Sequence, residues 1–283
     1  MPALTQPRWK RVVLKLSGEA LAEKTGFGLD NDVLAQLAGE LREAREEFDV
    51  DIAIVVGGGN SGLPAAIFAA QRGASVLIIE AAGALGGTLF LSSGQMSAAG
   101  TRLQRERGID DTPQLHYDDI MRISKGHANP ELVRLAVNAA APAFDWLLAN
   151  GFKVRDGHPI TGTTHEPYSR ARYAWGQNGG RSILEVLNAQ LAPHIESGRV
   201  MALVGHSAVD LTRDSRGAIL GVVTRGPDGR KTSHRGRKVA LTAGGYTANP
   251  VMYEKYEGIR TFTRATYPFS QGQGIELGLS VGG

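Results

Sequence analysis

The pattern of apolar and polar positions breaks the chain into short segments with distinct periods. Arg11 to Leu16 reads as a buried strand, followed by a turn at Ser17-Gly18-Glu19. From Asn31 to Phe48, residues Val33, Leu34, Leu37 and Leu41 recur at helical spacing, with Asp30 or Asn31 available as N-cap. Ile52 to Val56 is apolar throughout, as expected of a strand covered on both faces of a parallel sheet. Ser61 to Arg72 is Ala-rich and helical, Gly73 can end it, and Ser75 to Glu80 is a second buried strand. Strand, glycine turn, helix and strand make one βαβ unit within about 30 residues.

Farther along, Gly83 to Gly100 reads as a Gly- and Ser-rich loop covering a ligand. Glu131 to Asn150 and Arg181 to Glu196 have the spacing of amphipathic helices. Val200 to Val204, Ala208 to Thr212, Ile219 to Thr224 and Val239 to Thr242 read as short strands, with Pro227-Asp228-Gly229 as a hairpin turn. The pattern is α/β, with a parallel sheet and an antiparallel strand insertion.

The turn inside the βαβ unit is Gly57-Gly58-Gly59-Asn60-Ser61-Gly62. Its Gly-x-Gly-x-x-Gly spacing suits a dinucleotide. The first glycine permits the tight turn, the second lets backbone approach a pyrophosphate, and the third lets helix pack on strand. The helix N-terminus then offers unpaired N–H groups and the positive end of its dipole to the phosphates. Glu80, 18 residues beyond Gly62, ends the second strand where an acid would hold ribose hydroxyls.

Composition narrows the chemistry. The chain has 283 residues and no cysteine, which excludes disulfides, Cys-based zinc sites and a Cys nucleophile. The 37 glycines cluster in pairs and triplets, as close backbone approach to a ligand requires. The net charge of +3 comes from dispersed Lys and Arg, so no nucleic-acid partner is expected. The N-terminus lacks a signal-like apolar core, and no apolar run approaches the roughly 20 residues of a membrane span. A cytoplasmic protein is expected. The histidines show no metal-ligand spacing, so no metal is expected either.

Three stretches carry a family resemblance: residues 57–80, Gly86-Gly87-Thr88 through Thr101, and Val239 to Pro250. Residues from about 49 to 283 resemble the flavoprotein family of fumarate reductases, succinate dehydrogenase flavoprotein subunits and 3-ketosteroid dehydrogenases. The resemblance implies a Rossmann-like FAD-binding fold. It assigns Gly57, Gly59, Asn60, Ser61, Gly62 and Glu80 to the adenosine diphosphate part of FAD. Gly86, Gly87, Thr88, Ser93 and Gly94 would wrap flavin and pyrophosphate, and Thr242, Ala243, Gly244 and Gly245 would return to the cofactor. Val209 would lie where backbone meets the adenine. The implied activity is flavin-dependent oxidoreduction at a C–C bond of a carboxylic acid or ketone, with the electron-transfer partner open.

Upstream, residues 8–30 and the Gly57-Gly58-Gly59-Asn60 turn resemble the start of a bacterial uridylate kinase of the amino-acid kinase fold. That resemblance implies a contact of Lys15 with transferred phosphate, a first phosphate turn at Gly18 and Glu19, and a second at Gly57 to Asn60. It stops after Asn60, and nothing later resembles the kinase's nucleoside-monophosphate site or ATP-binding half. The sequence therefore divides into a kinase-like strand–helix segment, 1–48, and an FAD-binding domain, 49–283. The alternatives are a UMP phosphotransferase and an inactive fusion fragment.

Candidate reactive groups cluster at His165, Tyr168, Arg170 and Arg172, beside Glu166 and Tyr173. They read either as a substrate-facing loop, in which Arg grips a carboxylate and Tyr or His moves protons, or as a polar surface loop. His116 and His127 flank an expected helix as surface residues, while Trp146 and Trp175 are expected to pack in the core or beside the cofactor. Two features depart from the resembled family. Gly272-Gln273-Gly274 replaces Gly-Asp-Gly, and family members continue past the equivalent of Gly283 through a capping domain and a last cofactor-binding segment.

Overall fold

The computed structural model describes residues 52–162, 166–260 and 266–283. The expected strand at 11–16, the helix at 31–48, the kinase-like Lys15, Gly18 and Glu19, and His165 all lie outside the described residues. Within the unit Ile52–Gly283, β1 (Ile52–Val56), the helix α1 (Gly62–Gln71) and β2 (Ser75–Glu80) form the expected βαβ unit. β5 (Val200–Val204) joins the far side of β2, and β9 (Lys238–Leu241) joins the free side of β1. The result is a four-stranded sheet, order β5-β2-β1-β9, whose pairings are all parallel.

The apolar run of β1 is explained by two-sided burial. Val55, Val76 and Ile78 face one way, into a cluster with Leu63 and Ile67 of α1 and with Leu184 and Leu187 of the helix α5 (Gly180–Glu196). Ile52, Ile54 and Val56 face the other way, with Ile79, against Ala208, Leu211 and Val222. Those last three belong to an antiparallel sheet of β6 (Ser207–Arg213), β7 (Ile219–Arg225) and β8 (Lys231–Arg235). Full burial of side chains such as Ile54 and Ile67 contributes roughly 1.5–3 kcal/mol each. Hydrophobic burial on both faces holds the end of β1 in place, and the functional cleft opens there.

The segment 83–100 is more ordered than a covering loop. Gly86 (φ 138°) and Gly87 (φ 53°) adopt backbone conformations that side chains resist, and a 3₁₀ turn, Gly87–Phe90, follows. The segment then pairs β3 (Met96–Ser97) with β4 (Tyr173–Ala174). α2 (Arg102–Glu106) starts from Thr101, whose side chain accepts from the Gln104 N–H in a capping box. α3 (Pro113–Ile123) starts from Thr112, and α4 (Pro130–Ala149) from Asn129. Among the described residues, α4 is a helix long and apolar enough by length and composition to cross a membrane, which the run of apolar residues alone did not suggest. It carries Glu131, Arg134 and Asp145, and packs Val137, Phe144 and Leu147 inward. α6 (Pro250–Glu257) and α7 (Gln273–Leu279) complete the described helices.

Candidate functional site

The glycine turn is shaped by what surrounds it. Gly57 sits at φ 104° with its N–H donated to the Ile79 carbonyl at 2.8 Å, and a Cβ there would stand 2.5 Å from the Thr242 carbonyl oxygen. A Cβ on Gly62 would stand 1.8 Å from the Gly57 carbonyl oxygen, so only glycine lets α1 begin so close to the turn. Thr242, at the end of β9, clamps the same turn: its N–H and hydroxyl donate to Val56 O, and the hydroxyl also donates to Gly57 O. The N-cap of α1, Ser61, makes no side-chain capping bond, so the helix N-terminus is uncapped where the cleft begins.

Glu80 is buried at the end of β2. One carboxylate oxygen accepts from the Gly58 N–H at 2.8 Å and the other from the Ala82 N–H at 2.8 Å. It therefore fastens the glycine turn to the next strand. An ionised carboxylate has about four acceptor positions, so two remain for ribose hydroxyls. The cleft that results is lined by Gly57, Gly59, Asn60, Ser61, Glu80, Gly87, Thr88, Thr242, Ala243 and Gly244. It lies where β1 passes between β2 and β9, at the carboxyl end of the strands.

The sequence reading missed part of this lining: Ala81, His206, Ala208, Tyr267, Phe269 and Ser270. His206 and Ala208 follow directly on β5, which pairs with β2, and the His206 N–H donates to the Glu80 carbonyl at 3.0 Å. A strand ending beside Glu80 was the available signal. Tyr267 lies near Glu80, and burial together with that negative charge raises its phenol above the ordinary value. Gln273, standing where the resembled family has Asp, lines the cleft from the first position of α7.

Other expected residues lie elsewhere. Ser93 and Gly94 line a second cavity of about 750 Å³ with Pro64, Phe68 and Trp146, and their loop packs on the start of α5 through a Gly180 N–H to Ser92 O bond. Trp146, expected in the core or beside the cofactor, is half-buried on that cavity and packs against the core cluster, its ring 5.2 Å from Phe68. Trp175 is also half-buried, 4.1 Å from His158. Gly62 and Gly86 act beneath the cleft rather than on its wall, and Gly245 and Val209 are not in the lining. Val209 has no partner in the β6–β7 ladder, because Ala208 pairs with Thr224 and Asp210 with Val223.

The expected reactive loop is largely a structural network. Arg172 is fully buried and bidentate to Asp111 at 2.7 Å through both Nε and Nη2, while Nη1 binds Asp119. With its donors turned inward to two carboxylates, Arg172 is not placed to grip a substrate. Burial opposes the Arg172 charge, but the two partners outweigh it and raise its pKa. Burial likewise opposes ionisation of Asp119, and donors from Ser169, Arg172 and Arg122 overcome it, holding that carboxyl well below its usual range. Arg170 is exposed and bonded to the Asp110 and Ser169 carbonyls. Tyr168 stacks at the edge of His116 and near Tyr173.

His116 corrects the expectation of a surface residue. It lies inside α3, is buried, and its Nε2 is 3.1 Å from the Ser97 hydroxyl. Desolvation first, and then the Arg172 charge, lower its pKa from 6.5 to about 4. His127 is exposed, as expected.

A glycine turn between strand and helix, an acid ending the next strand and a cleft at the sheet's switch point define a dinucleotide-binding α/β fold. The FAD binding domain family matches residues 52–283, and the chain belongs to that family, whose cofactor is FAD. It is similar to the NADH:fumarate oxidoreductase of Klebsiella pneumoniae (strain 342), at 30% identity over 245 residues covering 86% of this chain and 25% of that protein. The fold resembles the open conformation of a flavocytochrome c3 fumarate reductase, with TM-score 0.72 and 22% identity over 92% of this chain and 44% of that one. It also resembles 3-ketosteroid-Δ4-(5α)-dehydrogenase from Rhodococcus jostii RHA1, with TM-score 0.67 and 22% identity over 81% of this chain and 53% of that one. The chain spans less than half the length of the curated relatives it matches.

The cleft fits FAD. Gly59 and Gly87 both line it, and a Cβ on Gly87 would come 3.1 Å from the Gly59 Cα, so side chains at these positions would fill the space between turn and loop.

Proposed function

We propose that this chain is the FAD-binding portion of a flavin-dependent oxidoreductase acting on a C–C bond of a carboxylic acid or ketone. The observation that carries the reading is the cleft that joins the glycine turn, Glu80 and Thr242–Gly244 at the end of β1. In this reading Gly59, Asn60 and Ser61 present backbone N–H groups of the helix N-terminus to the pyrophosphate. Glu80 accepts from the ribose, and Thr242 holds the turn in shape for both. Bound FAD supplies the hydride-transfer chemistry, and the chain supplies orientation and electrostatics. The names of the relatives, a fumarate oxidoreductase and a ketosteroid dehydrogenase, support the substrate class. The test is a titration of the purified full chain with FAD, followed by visible absorbance after removal of free flavin. Retained flavin is expected, and a chain that retains none after reconstitution with excess FAD would sink the proposal.

A further inference from the structure

The helix α4 has three faces rather than two. Val137, Phe144 and Leu147 pack inward, while Glu131, Arg134 and Asn138 make a polar side. A third face runs from Leu132 through Leu135, Ala136 and Ala139 to Pro142 and Ala143. It is apolar and open, with Leu132 64% and Leu135 69% exposed. Spacings of three and four residues keep these positions on one side of the helix. A contiguous open apolar patch of this kind marks a place where something apolar binds. The stripe leads into the second cavity. Pro142 and Ala143 belong to both, and the next turn of α4 adds Trp146 beside Phe68 of α1.

The cavity's volume of about 750 Å³ suits an organic molecule larger than a metabolite fragment. Among the described residues, no Asp, Glu, Lys, Arg or His lines it. Its polar side chains, Asn60, Thr88, Ser93 and Gln95 among them, are uncharged, and Asn60 and Thr88 also line the cofactor cleft. A carboxylate or phosphate taken into this space would lose water and find no counter-charge. An apolar body would gain from the area it hides. The geometry points to a binding site for a neutral, lipid-soluble molecule. Its apolar body lies against Phe68, Trp146 and Leu187, its one uncharged hydrogen-bonding end lies toward Asn60 and Thr88, and the open stripe of α4 is its way in. This site is additional to the FAD cleft and does not depend on the FAD reading.

The experiment titrates the full chain with Nile red, a neutral dye whose emission shifts to the blue in apolar surroundings. Saturable binding is expected. Ala143→Trp fills the cavity from an exposed position, so dye affinity should fall at least about tenfold, with circular dichroism as in wild type. On the wild-type chain, decanol should displace the dye, and ionised decanoate, the same chain ending in a charge, should need at least about tenfold more. The double variant L132Q/L135Q should keep its affinity for free dye but take dye more slowly from phosphatidylcholine vesicles. No saturable binding overturns the proposal, as does A143W binding like wild type, which would place the dye elsewhere. Equal displacement by decanol and decanoate overturns the neutral ligand class, and unaltered uptake in L132Q/L135Q overturns the route along α4. Displacement of the dye by FAD also overturns the proposal, because the cavity would then be part of the cofactor's own seat. A chain that binds dye but no FAD defeats the FAD reading alone, since the dye titration is run without flavin.

Discussion

Glu80 shows how one residue serves two purposes. Its two carboxylate oxygens accept from Gly58 and Ala82, and it lines the cleft where the proposed function puts the ribose. Glu80→Gln keeps the size but has one acceptor oxygen, so one backbone N–H then faces an amide donor. The expected cost is about 1–3 kcal/mol of stability, with at least about tenfold weaker FAD binding. Urea unfolding and flavin titration measure the two separately, and unchanged values in both would make Glu80 a bystander. His116 gives a pH dependence. Unfolded, it takes a proton near pH 6.5, whereas burial and the Arg172 charge defer this to about 4 in the folded chain. Between those values the unfolded state binds more protons, so stability falls as pH drops, by up to about 1.4 kcal/mol per pH unit. Asp111, Asp119 and Tyr168 also surround the ring. Asp119, with its depressed pKa, contributes stability that is lost only at lower pH. His116→Phe should flatten the slope of melting temperature between pH 6.5 and 4 relative to wild type. An unaltered slope would assign that dependence to other groups.

At the scale of elements, the βαβ unit was legible because its constraints are local. The apolar runs at 52–56 and 75–80, and the three glycines between them, each had a physical requirement that few residues meet. Gly62→Val makes the prediction at this scale. With 1.8 Å between a Cβ at 62 and the Gly57 oxygen, α1 cannot seat on its turn. The variant should therefore lose FAD binding and unfold at lower denaturant, and retained flavin would show that the turn can open without harm. Helix starts were less fully read. Thr112-Pro113, Asn129-Pro130 and Asn249-Pro250 each place a capping side chain before a proline at the first helical position. The first of these would have put His116 inside a helix instead of at its flank. Arg172 was not legible at all, because its partners Asp111 and Asp119 lie 61 and 53 residues away and no spacing rule joins them.

At the scale of the whole molecule, the cleft draws on segments from across the chain, which is why only some of its wall was foreseen. The glycine turn, Glu80 and Thr242 to Gly244 carry recognisable patterns. His206, Tyr267 and Phe269 carry none, and reach the cleft only through the pairing of β5 with β2 and the approach of residues 267–273. The same long-range assembly has a consequence for synthesis. Thr242 closes the turn after β1 from 186 residues away, and among the described residues β9 is the only strand on that side of β1. A ribosome adding about 5–20 residues per second needs roughly 10–40 s to bring it. During that interval β1 and β2 can pair, but among the described strands none yet covers the other edge of β1, an open template for a neighbouring nascent chain. The last described strand of the sheet thus fixes the glycine turn and covers an edge that could otherwise recruit another chain.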